Sequence, residues 1–176
     1  MGATSTRIGQ VWAWLGEVAD PEIPVISIID LGIVRKVEWD DVEDAECVVT
    51  ITPTYSGCPA MLVIAESIAD TLHRHGIRHF RMDTQLSPAW TTDWMSEAGK
   101  HKLQAYGIAP PVRRAGDYRV IDISALCTLS TRAEAVRCPN CGADDTYLRS
   151  QFASTPCKAL YVCRACREPF DHFKTH

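Results

Sequence analysis

Cys138-Pro139-Asn140-Cys141 and Cys163-Arg164-Ala165-Cys166, separated by residues 142–162, constrain the fold more than any other feature of this chain. A tetrahedral zinc ion takes four ligands, at about 2.3 Å for sulfur, and each CxxC turn delivers two thiolates to one point. The spacer is slightly longer than the roughly 15–20 residues usual between such pairs, and it leaves room for one β-hairpin. Gly142, directly after the first pair, lets the backbone bend sharply beneath the sulfurs. The competing reading is four free or disulfide-bonded cysteines. The spacing predicts a β-rich zinc ribbon in which Cys138, Cys141, Cys163 and Cys166 hold one structural Zn2+, with iron in the same four-thiolate site as the alternative.

Ribbons serve folding, nucleic-acid binding or protein docking, and charge helps to choose. Residues 138–176 hold five Lys/Arg and four Asp/Glu, whereas residues 1–110 hold eight basic and fifteen acidic side chains. The net charge of the whole chain is −4. No basic footprint for phosphates exists, so a nucleic-acid partner is disfavoured. With 176 residues, 46% of them hydrophobic, the chain suits one medium domain plus a small one. No apolar run approaches the roughly 20 residues that cross a bilayer, so no membrane partner is expected. Residues 1–6 lack the basic and apolar regions of a secretory signal. Eight cysteines with paired spacing then point to metal ligation in a reducing, cytoplasmic setting.

Hydrophobic spacing gives the order α-β-β-α-β-α before the ribbon, an α+β arrangement with helices packed on a small sheet. Ile8, Val11, Trp12, Leu15 and Val18 predict a helix over 7–18, which Pro21 and Pro24 terminate. Residues 32–39 and 46–52 read as strands joined by an acidic turn at 40–44. Pro59 suits the first turn of a second helix. Met61, Ile64, Ala65, Ile68 and Leu72 give it an apolar stripe that stops at Gly76. Residues 78–86 predict a third strand. Residues 92–106 predict a third helix, capped by Thr92, with Trp90 and Trp94 on the core. The domains expected are 1–110, a connector over 111–134 with a short strand at 118–123, and the ribbon over 135–176.

Cys58 is the leading reactive residue. It lies between Gly57 and Pro59 at a helix start, where unpaired N–H groups and the helix dipole favour a thiolate. A structural loop cysteine is the competing reading. Asp20 and Glu22 flank Pro21 and offer hard oxygen ligands or a base, against the plainer reading of a helix-ending turn. Cys47 and Cys127 read as buried, and Cys157 as a packed turn cysteine rather than an exchangeable fifth thiol. His73, His75 and His79 cluster near a helix end, and His172 and His176 stand close to a tetrahedron that four cysteines already fill.

Asp20-Pro21-Glu22-Ile23-Pro24-Val25, Asp30-Leu31-Gly32-Ile33-Val34, and Thr52 with Gly57-Cys58-Pro59 resemble, in that order, the small domain of SufT-like iron–sulfur assembly proteins. With residues 87–95, 106–111 and the segment 154–163, the whole chain resembles the PaaD family of aerobic phenylacetate degradation. The resemblance implies a maturation factor, not an enzyme, for a multicomponent phenylacetyl-CoA epoxidase. Its implied partners are the di-iron oxygenase and the iron–sulfur/flavin reductase of that complex, together with the iron–sulfur assembly machinery. Carried over by position, Cys58 becomes a transient contact for iron or an iron–sulfur cluster, with Asp20 and Glu22 as oxygen ligands or orienting groups. Which subunit is the client, and whether the chain dimerises, stay open. The alternatives are a structural subunit of the monooxygenase or a thiol-redox protein using Cys58.

Overall fold

In the computed structural model, which describes residues 2–40, 46–55, 57–112 and 136–175, the first apolar stripe becomes helix α1, Gly2–Leu15. Val11 and Leu15 are fully buried. The helix stops before Val18, because Gly16 is a poor helix former and its N–H closes the last turn onto the Trp12 carbonyl at 3.0 Å. Val18 is nevertheless buried, held through its carbonyl by the N–H of Ile28 at 3.0 Å. Residues 16–33 contain no helix or strand apart from an isolated bridge between Ala19 and Ser27. They still supply much of the core, since Ile23, Ile26, Ile28, Leu31 and Ile33 are each at most 2% exposed.

Strand β1 (Val34–Asp40) pairs antiparallel with β2 (Glu46–Ile51), setting Val37 opposite Val49. Helix α2 (Ala60–Arg74) then crosses over so that β3 (Phe80–Thr84) lies parallel to β2, giving the order β1-β2-β3. Ile64, Ile68 and Leu72 of α2 are buried to 1% exposure or less, each stabilising the fold by roughly 1.5–3 kcal/mol. At the far end of α2, His75 stacks on Trp14 at 4.2 Å and His73 meets Phe80 edge-on at 5.1 Å, so both act as packing groups.

The helix expected over 92–106 begins later. Thr92–Trp94 forms a single 3-10 turn capped by Thr91, Met95 and Ser96 are extended, and α3 runs Glu97–Ala105. Ser96, not Thr92, is its cap, accepting the Gly99 N–H at 2.8 Å. The break exists because this segment is tied to a distant loop. Ser96 Oγ donates to Asp30 Oδ1 at 2.9 Å, Lys102 Nζ reaches Asp30 Oδ2 at 2.6 Å, and the Ser27 N–H donates to the same carboxylate. Trp90 Nε1 donates to the Leu31 carbonyl at 2.9 Å, and the Arg35 guanidinium lies 3.5 Å over the Trp94 ring. Gly32 has φ +69, and an added Cβ would collide with the Trp94 backbone, so only glycine fits.

The chain divides into two units between Tyr106 and Gly107. In the second unit Ile108–Ala109 forms β4, a strand in a stretch that the sequence placed at the end of the first domain. It pairs parallel with β7 (Pro169–Phe173), which pairs antiparallel with β6 (Lys158–Cys163), itself antiparallel to β5 (Thr146–Ser150). Ala109, Val136, Ala159, Tyr161 and Phe170 pack with Cys138 and Cys163 into its core. The strand expected at 118–123 lies outside the described residues, as do Cys127, His176 and most of the acidic turn. Among the described residues no helix is long and apolar enough to cross a membrane.

Burial raises the Asp30 pKa, but hydrogen bonds from Lys102, Ser96 and Ser27 outweigh it and hold the carboxyl below its ordinary 3.8. The unfolded chain therefore binds the proton more tightly, and the stabilisation, complete above about pH 4, is lost as pH falls through the folded-state value. Denaturant titrations should find Asp30→Asn about 1–3 kcal/mol less stable than wild type at pH 7, with the difference shrinking below about pH 4. An unchanged pH 7 midpoint would remove Asp30 from its place as the tie.

Candidate metal centre and the Cys58 turn

Two similar turns build the cysteine site. In the first, the Gly142 N–H donates to the Cys138 carbonyl at 2.9 Å; in the second, the Arg167 N–H donates to the Cys163 carbonyl at 3.0 Å. The residue after each CxxC adopts a left-handed conformation, φ 76 at Gly142 and φ 66 at Arg167. Glycine accepts this freely, while a side chain there costs about 1–2 kcal/mol. The Sγ atoms of Cys138 and Cys166 lie 3.8 Å apart, those of Cys141 and Cys163 3.6 Å apart, and all four fall within 4.8 Å of one another.

That geometry fits a tetrahedral zinc ion. Bonds of about 2.3 Å place sulfurs about 3.8 Å apart along each tetrahedral edge. A disulfide would bring a pair to about 2.05 Å. Backbone N–H groups already point at the sulfurs. That of Cys166 holds the Cys163 thiol down to about 7. The N–H groups of Ala143 and Glu168 pull on Cys141 and Cys166, yet burial and neighbouring thiols push both up, Cys166 to about 12. Cys141 and Cys166 thus resist ionising beside Cys163, and a dication removes that conflict. His172 stands outside the site: it packs edge-on to Tyr161 at 5.4 Å, and burial pushes its pKa down to about 4, which keeps it neutral. Cys157 is buried beside Thr155 Oγ1 at 3.0 Å, and burial pushes the Cys47 thiol up to about 11, so neither sulfur is poised to react.

Cys58 is half-buried, two residues before α2 begins. Its N–H donates to the Tyr55 carbonyl at 3.2 Å and its carbonyl accepts from Met61 at 3.3 Å, which fixes the turn at the helix entrance. Gly57 has φ +93 with no atom within 4 Å of an added Cβ, so the approach beside Cys58 is open. A cleft of about 430 Å3 lies next to this turn, between residues 52–55 and Leu86, Ala89 and Trp90. Thr52 lines it, fully buried, with Oγ1 unpartnered among the described residues. Asp20 is buried as a turn former: its Oδ1 accepts from the N–H groups of Glu22 and Ile23 at 2.9 and 2.8 Å. Glu22 is exposed. Among the described residues the four ribbon cysteines are the group gathered as potential metal ligands, and Cys58, Asp20 and Glu22 are not gathered into another.

Residues 124–174 match the PaaD zinc beta ribbon domain, and residues 9–75 match the iron–sulfur cluster assembly protein family. An Escherichia coli K12 protein, described as a putative subunit of 1,2-phenylacetyl-CoA epoxidase, is 42% identical over 173 residues, 96% of this chain and 93% of its own. The chain belongs to the PaaD family. Its first half is also 37% identical over 87 residues to the Fe–S protein maturation auxiliary factor SufT of Staphylococcus aureus USA300, 49% of this chain and 96% of that one. The crystal structure of a domain of unknown function, DUF59, from Bacillus anthracis shares the fold with a TM-score of 0.52 at 26% identity, over 57% of this chain and 94% of its own.

The four cysteines of this PaaD-family chain lie inside the matched ribbon, so the zinc-ribbon reading holds. The Asp30 tie and the Thr52 cleft are what residue-by-residue reading missed. The first had a signal in the Asp30-Leu31-Gly32 motif; the second rests on segments more than thirty residues apart in sequence, and no local pattern marks it. Structural zinc contributes on the order of 10 kcal/mol of binding free energy at neutral pH, comparable with the whole stability of a small domain. The protein should therefore purify with one zinc per chain by elemental analysis. Cys138→Ala, or a strong chelator, should release the metal and unfold β5–β7 while leaving the helical signal of the first unit. A folded, metal-free ribbon would contradict this.

Proposed function

We propose that this chain is an accessory factor that assists loading of iron or an iron–sulfur cluster onto the reductase or oxygenase subunit of a phenylacetyl-CoA epoxidase. It works in the cytoplasm and has no catalytic step of its own. One observation carries the reading: an iron–sulfur assembly domain and a PaaD ribbon lie on one chain, 42% identical over nearly its full length to a protein called an epoxidase subunit. The relative of the first half called a maturation auxiliary factor supports the same role.

The iron or cluster is cargo, and the chemistry of a carrier differs from that of a resident site. A carrier must hold its load tightly enough to protect it and loosely enough to release it. Cys58, half-buried with open space at Gly57, supplies one soft ligand and leaves the remaining positions to the cargo's other partners. Asp20 acts as an orienting group, since its Oδ1 holds the turn that presents exposed Glu22. The ribbon's four cysteines form a closed shell and serve as the permanent structural element.

The word subunit in the name of the E. coli relative favours a second reading, a stoichiometric component of the complex. One experiment separates the two. Reductase and oxygenase are purified from cells with and without this chain, and their iron and sulfide contents are measured at equal expression. Under the loading role, one client loses most of its metal in the deletion and Cys58→Ala strains, and the chain does not copurify stoichiometrically. Full loading in every strain, with stable copurification, would sink the loading role in favour of the structural one.

A further inference from the structure

We propose that the Tyr147–Val162–Pro169 end of the ribbon sheet, on the side away from the cysteine core, docks an apolar patch rimmed by carboxylates on the protein this chain serves. The partner's identity rests on the reading above; the face does not. Sheet register sets Tyr147, Val162 and Pro169 side by side across β5, β6 and β7. Two residues along β6 on the same side the row ends, where Leu160 stands opposite Asp171, Lys158 pairs with Asp171 at 2.9 Å, and Lys158 and Phe173 are buried. The opposite side, with Leu148, Tyr161, Cys163 and Phe170, makes the core. Tyr147 is 38% exposed, Pro169 is exposed and Val162 is half-buried, so a short apolar row on a rigid sheet stays partly in water.

The charges around this row are arranged for a partner. The Arg164 guanidinium lies 4.8 Å over the Tyr147 ring and pairs with Asp145 at 3.4 Å, so the aromatic anchor is positioned before anything binds. Arg149 stands at the β5–β6 bulge, a place where an extra residue re-aims a side chain. Arg167 sits in the β6–β7 turn. Both are exposed, and neither guanidinium has a hydrogen-bond or ion-pair partner among the described residues. Arg167 also holds the left-handed conformation that Gly142 holds in the first turn, with the same backbone hydrogen bond. Glycine would make that bond without conflict, so the strained arginine is explained by what its guanidinium meets outside the chain. Tyrosine and arginine around an apolar centre are the residues that dominate protein interfaces, and unpaired arginines select carboxylates.

The test uses the full-length, zinc-loaded chain titrated into purified reductase and purified oxygenase at low and at moderate salt. Wild type should bind one of them. Tyr147→Ser, and separately the pair Arg149→Ala with Arg167→Gly, should each weaken binding about tenfold, as loss of an interface anchor does. The arginine pair should also flatten the salt dependence. Zinc content should be unchanged in every variant, and Arg167→Gly alone should raise the melting temperature. Wild-type affinity and salt dependence in all variants would overturn the face while leaving the loading role intact. Failure of wild type to bind either subunit, with full client iron in the deletion strain, would overturn both. Salt-sensitive binding of a single-stranded oligonucleotide, lost in the same variants, would overturn the choice of a protein partner.

Discussion

Neither unit of this chain is organised by apolar burial alone; each is arranged around a clustered or buried anionic group whose charge has to be answered. In the ribbon the groups are four thiolates, and sulfurs 3.6 and 3.8 Å apart resist carrying charge together without a cation between them. In the first unit the group is the Asp30 carboxylate, answered by Lys102, Ser96 and Ser27. Both solutions join segments far apart in sequence. Cys138 meets Cys166 across 28 positions, and Asp30 meets Lys102 across 72. Such ties reduce the alternatives open to short strands and irregular loops, which have little regular hydrogen bonding of their own.

The same contrast separates the two candidate metal-handling regions. The ribbon supplies a complete ligand shell with backbone N–H groups already aimed at its sulfurs, a design that retains a metal. The Cys58 turn supplies one sulfur, an open approach at Gly57, and an adjacent cleft whose buried Thr52 hydroxyl has no partner among the described residues. Incomplete polarity of that kind is destabilising in a finished core, where an unmade hydrogen bond costs about 1–3 kcal/mol. It is understandable at a surface that is completed only when another molecule arrives.

Legibility in the sequence followed the range of the interaction. The α2 stripe of Ile64, Ile68 and Leu72 and the alternation of Val49 and Ile51 are local periodicities, and the structure has them. The four ligands were readable because a tetrahedron demands a fixed chemistry at fixed spacing. The start of α3 was misplaced because Thr91, Thr92 and Ser96 are all competent caps, and the choice among them is made by Asp30, some sixty residues earlier. Strand β4 was missed because two residues before a Pro-Pro pair carry no strand signature; β7 defines it by pairing. The roles of Asp20 and Glu22 were ambiguous for a related reason. A carboxylate that caps a turn and one that holds a metal look alike in sequence, and Asp20 shows its Oδ1 engaged in the turn.

Arg167 shows how a departure from local rules carries information that agreement does not. The two turns of the metal site are nearly equivalent in hydrogen bonding, so the backbone requirement after each CxxC is the same. If stability alone chose the residue, both positions would hold glycine, as the first does. The penalty for a side chain there is larger than the few tenths of a kcal/mol typical of surface substitutions. The ligand sulfurs already have backbone donors, and Arg164 already has Asp145 and Tyr147, so the interior of the unit has no evident use for a further cation at that point. An exposed guanidinium on a left-handed backbone, unpaired among the described residues and beside the exposed Tyr147 and Pro169, is consistent with a ribbon that holds its own fold through zinc and turns this end of its sheet to a partner.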